Sequence, residues 1–159
     1  MSKKAKLSHY DEAGGARMVD VTAKPVTPRT ARAHAFVKIR KSVLARLPDN
    51  PKGNPLEVAR LAGVMAAKRT SELIPLCHPL PLSHADVKVT VEKDGVRIEA
   101  TASTAARTGV EMEALTAAAV AALTVYDMTK ALDKSIEITH VYLLEKTGGK
   151  SGGFRRSTR

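Results

Sequence analysis

The chain has 159 residues and a net charge of +10, with 43% hydrophobic and 26% charged residues. This size fits one globular domain and would make a second domain cramped. A single cysteine excludes an internal disulfide framework, and no apolar stretch is long enough to span a bilayer. Because the N-terminus also lacks the apolar run of a secretory signal, we expect a cytoplasmic protein.

Basic residues are concentrated at both ends of the chain. Residues 1–17 are predicted to form a disordered N-terminal tail and residues 154–159 a basic C-terminal tail, with a single domain at 18–153. The interior also keeps a surplus of lysine. Such a surplus favours anionic partners, either nucleic acid or phosphorylated small molecules.

The first half of the domain is predicted to contain two strands and one long helix. Met18–Lys24 and Arg32–Arg40 alternate in polarity as half-buried strands do. Asn54 offers a side-chain cap, Pro55 suits the first helical position, and the helix is expected to run to about Glu72. Its buried side is expected to use Leu56, Ala59, Leu61, Val64 and Met65.

The second half is predicted to contain a hairpin, a helix and a final strand. Asp86–Glu92 and Val96–Ala102 indicate two strands joined across Lys93-Asp94-Gly95. A helix from about Val110 to Asp133 follows, and then a strand over Ser135–Glu145. The order of elements predicts an α+β, ferredoxin-like βαββαβ fold: an antiparallel sheet with two helices on one face.

The second helix is small and apolar on nearly every side between Glu113 and Asp127. A helix that is apolar all round is buried all round, and one sheet with one neighbouring helix is expected to cover it poorly. We therefore expect an oligomer in which this helix packs near a subunit contact. The alternative is an alanine-rich helix that stays partly exposed.

The only cysteine, Cys77, precedes His78 in the proline-rich segment LIPLCHPLPL. A zinc site needs about four ligands, and adjacent residues of an extended segment point to opposite sides, so this pair is poorly placed to share a metal ion. The same geometry turns His78 away from a cysteine nucleophile. We predict no metal site, with Cys77 as a small buried hydrophobe and His78 either facing a cleft or in an ordinary core or surface position.

Carboxylates stand near both ends of the second helix. Glu111 and Glu113 suit the start of a helix dipole, and with an extended entry they also suit the cationic or N–H edge of a purine-like ring. Asp127 and Lys130 are three residues apart and therefore share a helix face. Such a pair is either a minor surface salt bridge or, when partly buried at a cleft, a pair that exchanges protons.

The segment KTGGKSGG, from Lys146 to Gly153, combines glycines with two lysines. It lacks the earlier glycine and the following helix of a phosphate-binding P-loop. A flexible glycine loop that carries Lys146 and Lys150 can still bind phosphates through N–H groups and point charges.

Together the motifs LIPLCHPL, TGVEMEALTAA, YDMTKA and KTGGKSG, with MVDVTAK and AAKRT, resemble the molybdenum cofactor biosynthesis protein C family. The similarity covers about Met18 to Gly152. Members of this family are cyclic pyranopterin monophosphate synthases, lyases that convert 3',8-cyclo-7,8-dihydroguanosine 5'-triphosphate to cyclic pyranopterin monophosphate and diphosphate. The resemblance also implies ferredoxin-like subunits in a homohexamer, a trimer of dimers, with active sites between subunits.

The resemblance assigns roles to individual residues. Asp127 and Lys130 match catalytic residues, and Lys52 matches another functional lysine. Lys52, Lys146 and Lys150 are candidates to neutralise the triphosphate. Thr129 stands where relatives often carry cysteine, and this departure removes no proposed role. Leu76, Cys77 and His78 match the first substrate-binding segment of the family. Met112 and Glu113 match the second, with Glu111 beside them, and Lys146 matches a lysine at the glycine loop.

No cofactor is predicted, and the sequence leaves a magnesium requirement open. The expected partners are the nucleotide-derived triphosphate and further copies of the chain, with neither nucleic acid nor membrane. The main alternative is a ferredoxin-like RNA-binding module, which shares the order of elements and the basic charge. That class stacks bases on aromatic residues of its central strands, and Asp86–Glu92 and Val96–Ala102 contain none.

Overall fold

A computed structural model describes residues 9–157 of the chain. Helices cover one face of a central antiparallel sheet. The elements in chain order are β1 Thr27–Lys38, α1 Lys41–Leu44, α2 Pro55–Lys68, α3 Thr70–Leu73, β2 Leu82–Glu92, β3 Gly95–Ala106, α4 Glu111–Thr129, β4 Glu137–Thr147 and β5 Phe154–Arg155.

The strands lie in the order β2-β3-β1-β4-β5, and every neighbouring pair is antiparallel. α2 packs on β2 and on α4, while α4 crosses β1, β3 and β4. Both long helices therefore lie on the same face of the sheet. This arrangement confirms the predicted α+β class and is compatible with the ferredoxin-like order, to which β5 adds a short edge strand.

Small side chains let α4 approach the sheet and α2 closely. On the helix side β1 presents only small or β-branched residues, all fully buried: Ala31, Ala33, Ala35 and Val37. On α2, a Cβ added at Gly63 would lie 2.9 Å from the carbonyl oxygen of Ala117 in α4. This close packing holds α4 along its length and so places both of its ends.

Most of α4 is buried within a single chain, although Leu123 is 56% exposed. The premise that one sheet and one helix would cover α4 poorly is therefore wrong, because alanines let both neighbours approach it. The expected oligomer stays a prediction. Within residues 9–157 no helix, α4 included, is long and apolar enough to cross a membrane.

The buried side of α2 differs from its prediction. Leu61 and Met65 were expected inside, but they are 49% and 56% exposed. The face that packs inward is made of smaller residues, because Gly63 and its neighbours let α4 lie close. These buried residues are Pro55, Ala59, Gly63, Ala66 and Ala67.

Met18–Lys24, called the strap below, does not form the predicted strand. The Asp20 side chain accepts a hydrogen bond from the amide of Thr22 at 2.9 Å. The amide of Lys24 donates to the carbonyl oxygen of Val21 at 3.0 Å. Such local bonds compete with an extended ladder, and they leave the strap free to cross the surface beside His78.

Both predicted tails contain local structure in their described parts. Tyr10 and Ala16 form an isolated antiparallel bridge around a turn stabilised by the Asp11 side chain. At the other end, β5 pairs with Glu145 and Lys146 of β4. Residues 1–8 and 158–159 of the predicted tails lie outside the described residues, and the domain limits 18–153 stay a prediction.

β2 and β3 form the predicted hairpin, with a turn at Lys93–Asp94. Gly95 belongs to β3, where it pairs with Glu92. A Cβ at Gly95 would collide with the carbonyl oxygen of Val37 and the ring of Phe36. The glycine is therefore needed for the close approach of β3 to β1.

Candidate active site

A cavity of about 310 Å³, called the α4 entry pocket below, lies at the N-terminal end of α4. It forms where the strap, the segment after α3 and the first turn of α4 meet. Six of the predicted site residues line it together: Leu76, Cys77, His78, Glu111, Met112 and Glu113. The motifs LIPLCHPL and TGVEMEALTAA therefore contribute to one pocket.

The backbone of the strap holds the ring of His78. The ring Nε2 lies 2.8 Å from the carbonyl oxygen of Val19. A carbonyl oxygen only accepts hydrogen bonds, so Nε2 must carry the proton. In the neutral ring Nδ1 is then an acceptor, which leaves one nitrogen for a ligand.

Cys77 lines the same pocket and is half-buried. Burial raises the pKa of its thiol, and the negative charge of Glu113 raises it further. The thiolate is the nucleophilic form, so this environment favours the inert thiol. The pocket therefore supports the interpretation of Cys77 as a wall residue.

Glu113 is the most deeply buried carboxyl of the pocket, with 3% of its surface exposed. Burial raises the pKa of this carboxyl, opposed by a backbone hydrogen bond, and the charge of Glu111 adds to the increase. A carboxyl with a raised pKa holds its proton to higher pH and can donate a hydrogen bond to a ligand. Position in the first turn of α4 alone, the helix-dipole interpretation, does not explain this depth of burial.

A second cavity of about 730 Å³, called the cationic pocket below, adjoins the first. The two share Lys24 and Glu111, together with the connection between β3 and α4. Lys146 lies 3.4 Å from Glu111 and 2.6 Å from the Ser151 hydroxyl. The cations that line the cationic pocket are Lys24, Arg29, Arg107, Lys146 and Lys150.

Three of these cations were missed by the sequence analysis. Lys24 stands in the strap, Arg29 in β1, and Arg107 directly after β3. The antiparallel register that pairs Thr27 with Ala106 brings the last two together, and Arg29 donates to the carbonyl oxygens of Ala106 and Arg107. Only Lys24 lay in a quoted motif, MVDVTAK, and no local signal marked the two arginines.

The remaining predicted residues cluster at the opposite, C-terminal end of α4. Lys130 Nζ lies 2.6 Å from Asp127 Oδ1, and Lys52 Nζ lies 3.4 Å from the Asp127 carbonyl oxygen. The Asp127 and Lys130 side chains are 59% and 49% exposed. Their hydrogen bond lowers the pKa of Asp127 and raises that of Lys130, so within one chain both are charged at neutral pH.

The two groups of residues are far apart in one chain. An α-helix rises 1.5 Å per residue, so Glu113 and Asp127 are separated by about 21 Å along α4. A small substrate cannot place one reacting ring against both ends. A larger hollow of about 840 Å³, between Lys38–Lys41, Lys93–Asp94 and 133–137, contains none of the predicted site residues.

Comparison with known proteins decides the family. The model of the MoaC family matches residues 18–149. The chain belongs to the MoaC family. This confirms the resemblance drawn from the motifs, and the MoaC match contains every predicted site residue except Lys150, which lies one position beyond it.

Relatives in the MoaC family align over nearly the whole chain. The protein of Streptomyces avermitilis is 57% identical over 154 residues, covering 96% of this chain and 91% of the relative. That of Mycobacterium tuberculosis is 55% identical over 154 residues, covering 95% and 91%. That of Staphylococcus carnosus is 50% identical over 160 residues, covering 98% and 99%. The first and third are named cyclic pyranopterin monophosphate synthase, and the second cyclic pyranopterin monophosphate synthase 1.

Proposed function

We propose that this protein is an enzyme of molybdenum cofactor biosynthesis, a cyclic pyranopterin monophosphate synthase. It converts 3',8-cyclo-7,8-dihydroguanosine 5'-triphosphate to cyclic pyranopterin monophosphate and releases diphosphate, which makes it a lyase. The names and coverage of the relatives support this function and not the RNA-binding alternative. The observation that carries it is the junction of the α4 entry pocket with the cationic pocket.

That junction suits a purine-derived ring joined to a triphosphate. Glu113 and His78 offer a carboxyl group and an acceptor nitrogen to the polar edge of a ring. The adjoining cations, Lys146 and Lys150 among them, suit a polyanion. Cations held in place before the reaction also stabilise the charge that grows on a leaving diphosphate.

The cluster of Lys52, Asp127 and Lys130 would complete the site from a second copy of the chain. We propose a homohexamer, a trimer of dimers, in which the C-terminal end of α4 in one protomer meets the α4 entry pocket of another. The separation of about 21 Å along α4 supports this, since one chain alone leaves the two groups apart. Exposed Leu61, Met65 and Leu123 supply apolar surface for such contacts.

Burial at a subunit contact would change the chemistry of Asp127 and Lys130. On the free protomer both are charged and in water, where the pair is an ordinary surface salt bridge. Removal of water penalises both charged forms, which brings proton exchange with a substrate within reach. We assign these two residues the proton transfers that rebuild the ring, with His78 and Glu113 orienting it.

The phosphate step closes a cyclic monophosphate. A sugar hydroxyl attacks the α-phosphorus, a new P–O ester bond forms, and the bond to the α–β bridging oxygen breaks, so that its electron pair leaves with diphosphate. The hydroxyl proton passes to a base of the site. Lys52, Lys146 and Lys150 offset the charge of the departing group, and no resident cofactor or metal is assigned to the protein.

Incubation of the purified protein with the cyclised nucleotide tests this function. We expect diphosphate and cyclic pyranopterin monophosphate in equal amounts by mass spectrometry, measured with added magnesium and with a chelator. Unchanged substrate in the presence of folded protein under both conditions would contradict the proposal. The proposal also places the protein in the cytoplasm, which cell fractionation tests.

A further inference from the structure

The turn Asn50–Gly53 carries Lys52 to the C-terminal end of α4. The amide of Gly53 donates to the Asn50 carbonyl oxygen at 3.0 Å. Asn, Pro and Gly stand at the first, second and fourth positions, which is the composition of a type I turn. Gly53 leaves the turn at a φ of +93°, where a residue with a Cβ is strained.

The side chain of Asn50 connects this turn to α4. Its Oδ1 accepts a hydrogen bond from the amide of Lys52 at 2.9 Å, and its Nδ2 donates to the Met128 carbonyl oxygen at 2.8 Å. An amide N–H only donates and a carbonyl only accepts, so these two partners determine which way the Asn50 amide faces.

Met128 is a suitable anchor because it lies in the last turn of α4. The carbonyls of a last helical turn have no partner within the helix. Lys52 Nζ meets the Asp127 carbonyl oxygen and Asn50 meets the next one. The turn therefore caps the helix end from which Asp127 and Lys130 project.

We infer that Asn50 is a positioning residue that holds Lys52 against the Asp127–Lys130 pair. This inference rests on the proposed function, in which Lys52 contacts the substrate phosphates. The contact made by Lys52 itself is long, at 3.4 Å, and exposed. One such contact holds a flexible lysine side chain poorly. The position of Lys52 therefore depends on its backbone, which Asn50 connects to α4 through its hydrogen bonds to the Lys52 amide and the Met128 carbonyl oxygen.

Asn54 provides a matched control four residues later. Its Oδ1 accepts from the amides of Leu56 and Glu57 and so caps α2. Asn50→Ala and Asn54→Ala make the same chemical change in the same loop, but only the first cuts a bond to α4. A displacement of about 1 Å costs roughly 100-fold in rate. We expect Asn50→Ala to lower kcat roughly 10- to 100-fold, while Asn54→Ala lowers the melting temperature and keeps kcat.

A double-mutant cycle separates positioning from a general structural effect. If Asn50 acts through Lys52, Asn50→Ala lowers kcat in the native background and has no further effect in the Lys52→Ala background. The same factor of loss in both backgrounds, or a kcat equal to that of Asn54→Ala, would overturn the inference. Asn50→Ser, whose shorter side chain keeps an acceptor for the Lys52 amide but does not reach the Met128 carbonyl oxygen, covers the case in which Asn50→Ala fails to fold. We expect Asn50→Ser to lose kcat as well, and a wild-type kcat would count against the inference.

Hydrogen exchange of the Lys52 amide gives a readout independent of turnover. We expect exchange at this amide to quicken at least about 10-fold in Asn50→Ala and to stay unchanged in Asn54→Ala. If the wild-type protein fails to turn over the cyclised nucleotide, the proposed function fails, yet faster exchange still supports the positioning of Lys52. If the wild-type protein is active and exchange is unchanged in Asn50→Ala, the positioning is refuted and the proposed function stands.

Discussion

The ring Nε2–H of His78 donates a hydrogen bond to the Val19 carbonyl oxygen across 2.8 Å, and this bond joins the strap to the proline-rich segment. It sets the tautomer of the ring and commits one of its two nitrogens. Only Nδ1 is left for a ligand in the α4 entry pocket. The strap thus does more than close the pocket, because it decides which atom of His78 the substrate meets.

His78→Gln tests these separate roles of Nε2 and Nδ1. The glutamine amide N–H₂ can reach toward Val19 as Nε2 does, but it offers no acceptor at the Nδ1 position. We expect the strap to stay protected from proteolysis while kcat/KM falls roughly 10- to 100-fold. Wild-type turnover by this variant would show that Nδ1 has no part in binding or catalysis.

Asp127→Asn is expected to abolish product formation, with a loss of at least about 100-fold in kcat. Because asparagine has the shape of aspartate, the oligomer should stay folded and assembled. Glu57→Gln is the matched control, since Glu57 and Arg60 form an exposed pair with the same spacing at 2.7 Å. An active Asp127→Asn, or an equal loss in Glu57→Gln, would refute the catalytic assignment.

The buried carboxyl of Glu113 should leave a mark on stability against pH. Burial raises its pKa above the ordinary 4.5, so the folded state binds this proton more tightly than the unfolded state. The stabilisation of the folded state by this bound proton is complete below about pH 4.5. It is lost as pH rises through the raised pKa of Glu113.

Glu113→Gln removes this dependence. Relative to the wild type, the variant should therefore gain unfolding free energy as pH rises from 4 to 8, as measured by urea titration. A difference between the two proteins that stays constant with pH would show that Glu113 titrates in the folded state as it does in the unfolded chain.

Cys77→Ser should keep most of the activity. Burial and the nearby charge of Glu113 raise the pKa of the Cys77 thiol, so little thiolate exists at neutral pH. We expect kcat within a few-fold of wild type, because a serine hydroxyl is close to the thiol in shape. Loss of turnover with substrate binding intact would make Cys77 a nucleophile.

Lys150→Gln should raise the KM for the triphosphate several-fold and weaken its dependence on salt, because charge attraction to a polyanion is screened by ions. Lys93→Gln, the same change in the exposed turn between β2 and β3, is the control. Equal KM values for the two variants would show that Lys150 does not contribute to binding of the triphosphate.

Local signals in the sequence predicted those parts of the fold that depend on neighbouring residues. Asn54 caps α2 through the amides of Leu56 and Glu57, as its place before Pro55 suggested. The strand prediction for the strap was wrong. Val19 and Val21 alternate with polar residues as in a strand, but the Asp20 side chain accepts a hydrogen bond from the Thr22 amide and stabilises a turn. The same alternation of residues suits a strand and a turn, and the hydrogen bond between Asp20 and Thr22 favours the turn.

The site was predicted residue by residue from motifs, but its geometry was not. Cys77 and His78 were expected to point to opposite sides, yet both line one pocket. Arg29 and Arg107 are brought together by the β1–β3 register, which no local pattern encodes. The predicted helix already placed Glu113 and Asp127 near its two ends, whereas tertiary structure alone brings His78 to one end and Lys52 to the other.

Complementation between two inactive variants tests most directly whether the two ends of α4 from different protomers form one site. Asp127→Asn removes the catalytic carboxylate at one end and His78→Gln impairs the other, so each homo-oligomer should keep at most about a tenth of wild-type activity. In an oligomer reassembled from equal amounts of both, random pairing unites two intact halves at about one contact in four. We predict recovery of roughly a quarter of wild-type activity. A mixture as inactive as its parents would contradict a site shared between subunits.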